Sequence, residues 1–217
     1  MKLLGKDLKV LFEDNHLFIV SKPSGVITQA SEEDTESLES YCKKYIKIRD
    51  RKPAGVFLQP IHRLDKPVSG IVIFAKTKKA LSRLCEQMRD QKIEKTYLAV
   101  VEGILEPRES TLVNYLQKSC YRSKISYSET VSKRAELSYV VKKTLKDTSI
   151  VEIKLKTGRY HQIRVQFAHN GHPVVGDLKY GSKIKTKKLK LHHIRVLFMH
   201  PVTKEQIICE DKSIFAD

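Results

Sequence analysis

The chain has no apolar window approaching the ~20 residues that a membrane-crossing helix needs. Residues 1–14 alternate charges with Leu and Val, so the apolar block of a secretory signal is missing too. The four cysteines, Cys42, Cys85, Cys120 and Cys209, are scattered and form no C-x-x-C pair. That pattern argues against a disulfide framework or a zinc ribbon, and Cys42 and Cys85 fall on apolar helical stripes as reduced core thiols would. His62, His161 and His172 do not share metal-ligand spacing, so no metal is expected. There is no internal repeat and no low-complexity linker. These absences predict a cytoplasmic protein that does not enter a membrane.

Acidic residues are also scarce. Asp and Glu number 25 against 41 Lys and Arg, a formal charge of +16 over 217 residues. Such a surface repels itself unless a polyanion or counterions offset it, and it speeds encounter with phosphate backbones. Nucleic acid is therefore the expected partner. The apolar fraction of 41% can fill a sizeable core. The length suits one domain spanning residues 1–217, and a monomer is expected.

Residues 8–12 and 16–20 read as two short strands around the turn Glu13-Asp14-Asn15, and Lys22-Pro23-Ser24-Gly25 breaks the ladder. Between residues 34 and 48, Leu38, Tyr41, Cys42, Tyr45 and Ile46 mark one helical face, with Asp34 or Thr35 as its cap. A second helix follows Thr77, burying Leu81, Leu84, Cys85 and Met88. Strands are predicted at 71–75, 96–101, 137–141 and 150–155, and a helix at 161–170 that stops at Gly171. Residues 194–198 and 206–209 flank Pro201-Val202-Thr203-Lys204 as a hairpin. Strands outnumber helices and interleave with them irregularly. The pattern predicts an α+β fold with a mixed, largely antiparallel central sheet flanked by helices. Ser182 to Lys190, carrying five lysines, is expected to be the most mobile stretch and a phosphate clamp.

The most informative segment is His62-Arg63-Leu64-Asp65-Lys66-Pro67-Val68-Ser69-Gly70, a carboxylate set among basic residues before the apolar run 71–75. A carboxylate beside cations can stay ionised, and hence nucleophilic, in a pocket that would otherwise neutralise it. A kinase reading of His62-Arg63-Leu64-Asp65 fails. The kinase loop reads H-R-D with a downstream Asn, and no Gly-rich phosphate loop precedes it here. Two further segments concentrate unusual residues, Lys95-Thr96-Tyr97 on a strand and Gly158-Arg159-Tyr160-His161-Gln162-Ile163-Arg164, which leads to Gly176-Asp177 and Tyr180-Gly181. On its own, Asp177 after Gly176 most simply fixes a turn.

Taken in order, these motifs resemble the RluA-type pseudouridine synthases. Lys22-Pro23-x-Gly25, Leu191-His192 and His200-Pro201-x-Thr203 complete the pattern, which runs from about residue 8 to 209. The resemblance implies a pseudouridine-synthase-like domain that isomerises specific uridines in rRNA or tRNA, without a cofactor. It implies that Asp65 is the nucleophile, that Arg164 is the arginine paired with it, and that Tyr97 lines the uracil pocket and accepts a proton. Arg63 is then placed to occupy the space of a flipped base, Ile163 to wall the uracil, and His62 and Arg159 to contact RNA. Three positions depart from the family pattern: Val68 where Thr is common, Gln166 for a usual His, and Gln29 for a frequent His. They put in doubt which RNA is recognised. The motif pattern begins almost at the start of the given sequence, so the N-terminal S4 RNA-binding domain of many relatives is not expected. The competing reading, from charge alone, is a non-catalytic RNA-binding module on the same fold; simple binding would require none of Asp65, Tyr97 and Arg164.

Overall fold

The computed structural model describes residues 8–30, 36–128 and 130–212. In chain order its elements are β1 (Val10–Glu13), β2 (Leu17–Lys22), α1 (Leu38–Arg49), β3 (Gln59–Pro60), β4 (Ser69–Ala75), α2 (Lys78–Arg89) and β5 (Glu94–Glu102). They continue with β6 (Glu109–Ser119), β7 (Arg122–Ser126), β8 (Lys133–Thr144), β9 (Thr148–Leu155), α3 (Gln162–His169), a 3-10 turn (Leu178–Tyr180), β10 (Leu191–Met199) and β11 (Gln206–Glu210). Residues through Ile93, joined by Arg195–Asp211, form one compact unit, and Glu94–Ile194 form the body of a second. The registers of β1/β2, β2/β4, β5/β9, β8/β9, β6/β8, β6/β7 and β10/β11 are all antiparallel. The architecture is α+β, as the sequence pattern predicts. Among the described residues no helix is long and apolar enough to cross a membrane.

In the first unit the strand order is β1-β2-β4-β10, with β3 on β4 and β11 on β10. Leu17 to Val20 and Ile71 to Ala75 are wholly buried, so β2 and β4 read as continuous apolar runs rather than alternating ones. Their core gathers Leu17, Ile19, Ile71 and Ile73 with Val196 and Phe198 of β10 and with Ala80 and Leu84 of α2. Thr77 caps α2, its hydroxyl accepting from the Ala80 amide at 3.1 Å. The α1 stripe also holds: Leu38, Cys42 and Ile46 are buried. Its cap is Ser37, which forms a reciprocal box with Ser40; Asp34 and Thr35, the expected caps, lie outside the described residues. Cys42 is buried as expected, whereas Cys85 is only half-buried.

In the second unit the order is β5-β9-β8-β6-β7. The sequence pattern missed β6 and β7. Both lie at the end of the array and are mostly half-exposed, so neither shows the alternation of a strand with one dry face. Helix α3 is fixed to β6 by the Gln166 amide, which donates to Asn114 Oδ1 at 2.8 Å and to the Leu112 carbonyl at 3.2 Å. It is fixed to β8 by the Phe167 ring, 5.5 Å from that of Tyr139. Gln166, one of the departures from the family pattern, is thus a buried structural tie. The lysine-bearing stretch 182–190 is also more tightly held than its composition suggests. Glu102 Oε1 accepts from the Ser182 hydroxyl at 2.5 Å and the Ile184 amide at 2.9 Å. Lys190 N donates to the Val175 carbonyl at 3.0 Å. Lys183, Lys185, Lys187 and Lys188 still project into solvent.

Candidate active site

In the first unit, Asp65 sits on a loop between β3 and β4 whose main chain is held by both backbone and side-chain groups. Val68 N closes a turn on the Asp65 carbonyl at 3.0 Å. The Thr28 hydroxyl bonds both the carbonyl and the amide of Leu64 at 3.1 Å. Gly25 N donates to the Lys66 carbonyl at 2.8 Å, and the Ser24 hydroxyl to that of Pro67 at 2.8 Å. Pairing of Lys22 with Gly70 across β2 and β4 brings the segment 22–28 under the loop. Gly70 adopts a φ of 114°, a region an L side chain rarely enters, which sets the departure angle of β4. His62 Nε2 accepts from the Ile73 amide at 3.3 Å, fixing the start of the loop. Arg63 is exposed, Asp65 half-buried and Val68 buried.

Beneath this loop lies Lys22, whose side chain is fully buried. Its ammonium donates to the carbonyls of Val26 at 2.6 Å and of Pro23 and Lys66 at 3.2 Å. Burial drives its pKa down to about 7, against the pull of the Asp65 charge toward protonation. A lysine lowered in this way binds fewer protons folded than unfolded, so it makes stability rise with pH between about 7 and its ordinary 10.5. Lys22→Met is expected to flatten that rise, which urea denaturation of both proteins at pH 7, 8.5 and 10 would register. Equal pH slopes would show that Lys22 does not carry the linkage. The sequence motif contained Lys22, but nothing in it signalled burial of the charge.

In the second unit, Tyr97 lies on β5 opposite Ile153 of β9, buried, its ring stacked on His193 of β10 with centroids 4.5 Å apart and planes 16° from parallel. The stack leaves the ring little rotational freedom. Two residues earlier on β5, Lys95 is also buried, and burial lowers its pKa.

Ile163 and Arg164 lie in the first turn of α3, both buried. Arg164 presents Nε and Nη2 to the two carboxylate oxygens of Asp177 at 2.6 and 2.8 Å, a parallel fork with both side chains removed from water. The guanidinium carbon also lies 5.1 Å from the centre of the Tyr180 ring. Asp177 does form the expected turn, its carbonyl accepting from the amides of Tyr180 and Ser182 at 3.0 Å. Its carboxylate does more, and the sequence reading missed that. The available signal was a counting rule: an arginine on a buried helical face requires a carboxylate, and Asp177 is the first acid to follow it along the chain.

Around this pair the aromatic residues form a second layer. His161, in the left-handed conformation at φ 54°, precedes α3. Its ring stacks on Tyr160 at 3.8 Å, and its Nδ1 is hydrogen-bonded to the Tyr180 hydroxyl at 2.8 Å. Burial, aided by the Arg164 charge, lowers the His161 pKa to about 3, so the imidazole is neutral at physiological pH. The Gln162 side chain pins the turn before the helix, its Oε1 accepting from the Thr157 hydroxyl at 2.8 Å and the Arg159 amide at 3.0 Å. Arg159 is exposed, with Nε donating to the Arg134 carbonyl at 2.9 Å. The structure therefore supports a rigid carboxylate loop in one unit. In the other it supports a stacked tyrosine and a buried, forked arginine.

Comparison with known proteins bears on the chain as a whole. The family model for RNA pseudouridylate synthases matches residues 16–169. Ribosomal large subunit pseudouridine synthase C of Buchnera aphidicola subsp. Schizaphis graminum is 33% identical over 211 residues, 91% of this chain and 65% of that relative. The chain thus spans about two thirds of that relative's length. The tRNA pseudouridine synthase C of Pasteurella multocida is 31% identical over 224 residues, 93% of this chain and 90% of the relative. The fold is similar to that of human RNA pseudouridylate synthase domain containing 4, with a TM-score of 0.80 at 19% identity, over 94% of this chain and 88% of that one. With its motifs in order, its fold matched and most of its length aligned, this chain belongs to the RNA pseudouridylate synthase family.

Proposed function

We propose that this protein isomerises specific uridines in rRNA or tRNA to pseudouridine, as a monomer in the cytoplasm and with residues 1–217 acting as one catalytic domain. The observation that carries this reading is the family match over residues 16–169, a span that includes the His62-Arg63-Leu64-Asp65 loop, and it is supported by the hydrogen bonds that hold the main chain of that loop. In the reaction the N1–C1′ bond breaks, the uracil turns, and a C5–C1′ bond forms. A proton leaves C5 and N1 gains one, so nothing is oxidised or consumed and no cofactor is required. The Asp65 carboxylate holds the fragments together as a nucleophile and then departs. Arg164 supplies positive charge to the reaction in an orientation set by Asp177.

Tyr97 offers the uracil a flat, immobilised ring and a hydroxyl for the C5 proton. Exposed Arg63 fills the stack vacated by the flipped nucleotide, with His62 and Arg159 contacting RNA and Ile163 walling the base. The test is tritium release from RNA transcribed with 5-tritiated uridine and containing candidate rRNA and tRNA targets. Wild-type protein should release label, and pseudouridine should appear in the digested RNA. Tyr97→Phe keeps the stack and removes the proton acceptor. It should bind that RNA normally and lose roughly 10²–10⁴-fold in rate. A Tyr97→Phe variant at full rate would remove the tyrosine from the chemistry.

A further inference from the structure

Exposed aromatic side chains are unusual on a charged surface, and this chain gathers them at one place far along the sequence from Asp65. Tyr127, just past β7, is 91% exposed, the highest value among the large apolar side chains described, and Tyr121 at the β6–β7 turn is 69% exposed. Beside them opens a cleft of about 660 Å³ between the β6–β7 hairpin and α3. Its lining includes Arg122, Lys124, His169 and Lys179 with the rings of Tyr127 and Tyr180, and it contains no Asp or Glu. Neither core packing nor ordinary solvation accounts for that combination, since solvated faces mix both signs of charge and do not display tyrosine rings.

The hairpin is held in place. Lys179 Nζ donates to the Tyr121 carbonyl at 2.6 Å, and the Ser123 amide donates to the Tyr180 hydroxyl at 2.8 Å. Lys118 lies over the Tyr160 ring at 5.2 Å. Tyr180 therefore belongs at once to the cleft wall, to the His161 hydrogen bond and to the cation–π contact with Arg164. A ligand seated in the cleft touches the same ring that packs against the buried arginine.

We infer that this cleft is an RNA-anchoring site that takes an unpaired nucleotide of the substrate away from the uridine being modified, its base stacked on Tyr127 and its phosphates on Arg122, Lys124 and Lys179. The volume lies in the range of small-ligand sites and suits one nucleotide with its flanking phosphates. Stacking on tyrosine tolerates any base, and lysine and arginine read only the backbone, so the site supplies affinity and register rather than sequence selection. An acidic protein segment would match the charge but leave the projecting ring without a flat partner. The inference rests on the RNA-modifying function proposed above.

The test measures binding of a fluorescein-labelled, single-stranded RNA dodecamer of mixed sequence by anisotropy, over a salt series, for the wild-type chain and three variants. Tyr127→Ala should weaken binding roughly tenfold, while Tyr127→Phe, which keeps the flat face, should match wild type. Lys124→Gln should lower the slope of log Kd against log salt by about 0.7, the share of one phosphate contact on a single strand. Tyr127 is so exposed that its removal should leave the melting temperature unchanged. If wild type binds the RNA but Tyr127→Ala and Lys124→Gln bind equally well with the same salt slope, the anchoring site is wrong and the proposed function stands. If wild type binds no RNA and releases no tritium, both fall.

Discussion

Asp65→Asn should abolish tritium release from 5-tritiated uridine in RNA, by roughly 10⁴-fold or more, while leaving fold and RNA binding at wild-type levels. The substitution preserves shape and removes the negative charge and the nucleophilic oxygen together. The loop should survive it, because its bracing runs through the backbone of residues 64 to 68 and the side chains of Lys22, Ser24 and Thr28. A second readout follows from the same change. The Asp65 charge favours protonated Lys22, so its loss should move the Lys22 titration further down. Activity retained in Asp65→Asn would remove Asp65 from the chemistry. A variant that melts early would show instead that the carboxylate is needed to build the loop.

Asp177→Ala should destabilise the protein by about 3–5 kcal/mol, because it leaves the Arg164 guanidinium buried without its forked partner. Against the ~5–15 kcal/mol that hold a typical domain together, such a loss is large. Arg164→Ala should cost a similar amount for the mirror reason. Replacing both with Met and Leu should recover much of the loss, since neither charge is then stranded. Urea denaturation of the two single variants and the double variant gives the coupling directly. Single losses below about 1 kcal/mol, or strictly additive ones, would show that the fork contributes nothing net. The double variant should remain inactive in tritium release even where its stability returns, which separates the structural work of the pair from its part in the reaction.

The two apolar helical stripes and the strands 71–75, 96–101 and 150–155 were legible because each has one dry face or is buried on both. Strands β6 and β7 were not, and the reason is physical. Residues such as Arg122, Ser123 and Lys124 line the cleft beside α3, so no hydrophobic period marks them. The cap of α1 was misplaced because several capping side chains precede the first apolar residue, and only the reciprocal bond with Ser40 selects Ser37. At the site, the motifs named Asp65, Tyr97 and Arg164, yet the residues that hold them are known only from tertiary pairing. Lys22 sits below its loop, Asp177 grips Arg164, and His193 stacks on Tyr97. Sequence order reveals which groups are unusual; it does not reveal which neighbours a chain reversal brings to them.

The grip of Lys22 has a consequence for how the loop tolerates substitution. Its ammonium holds three main-chain oxygens, those of Pro23, Val26 and Lys66, and none of the side chains at those positions. A substitution at position 26 therefore leaves the acceptor of the shortest of these bonds in place, since any amino acid offers the same carbonyl to the clamp.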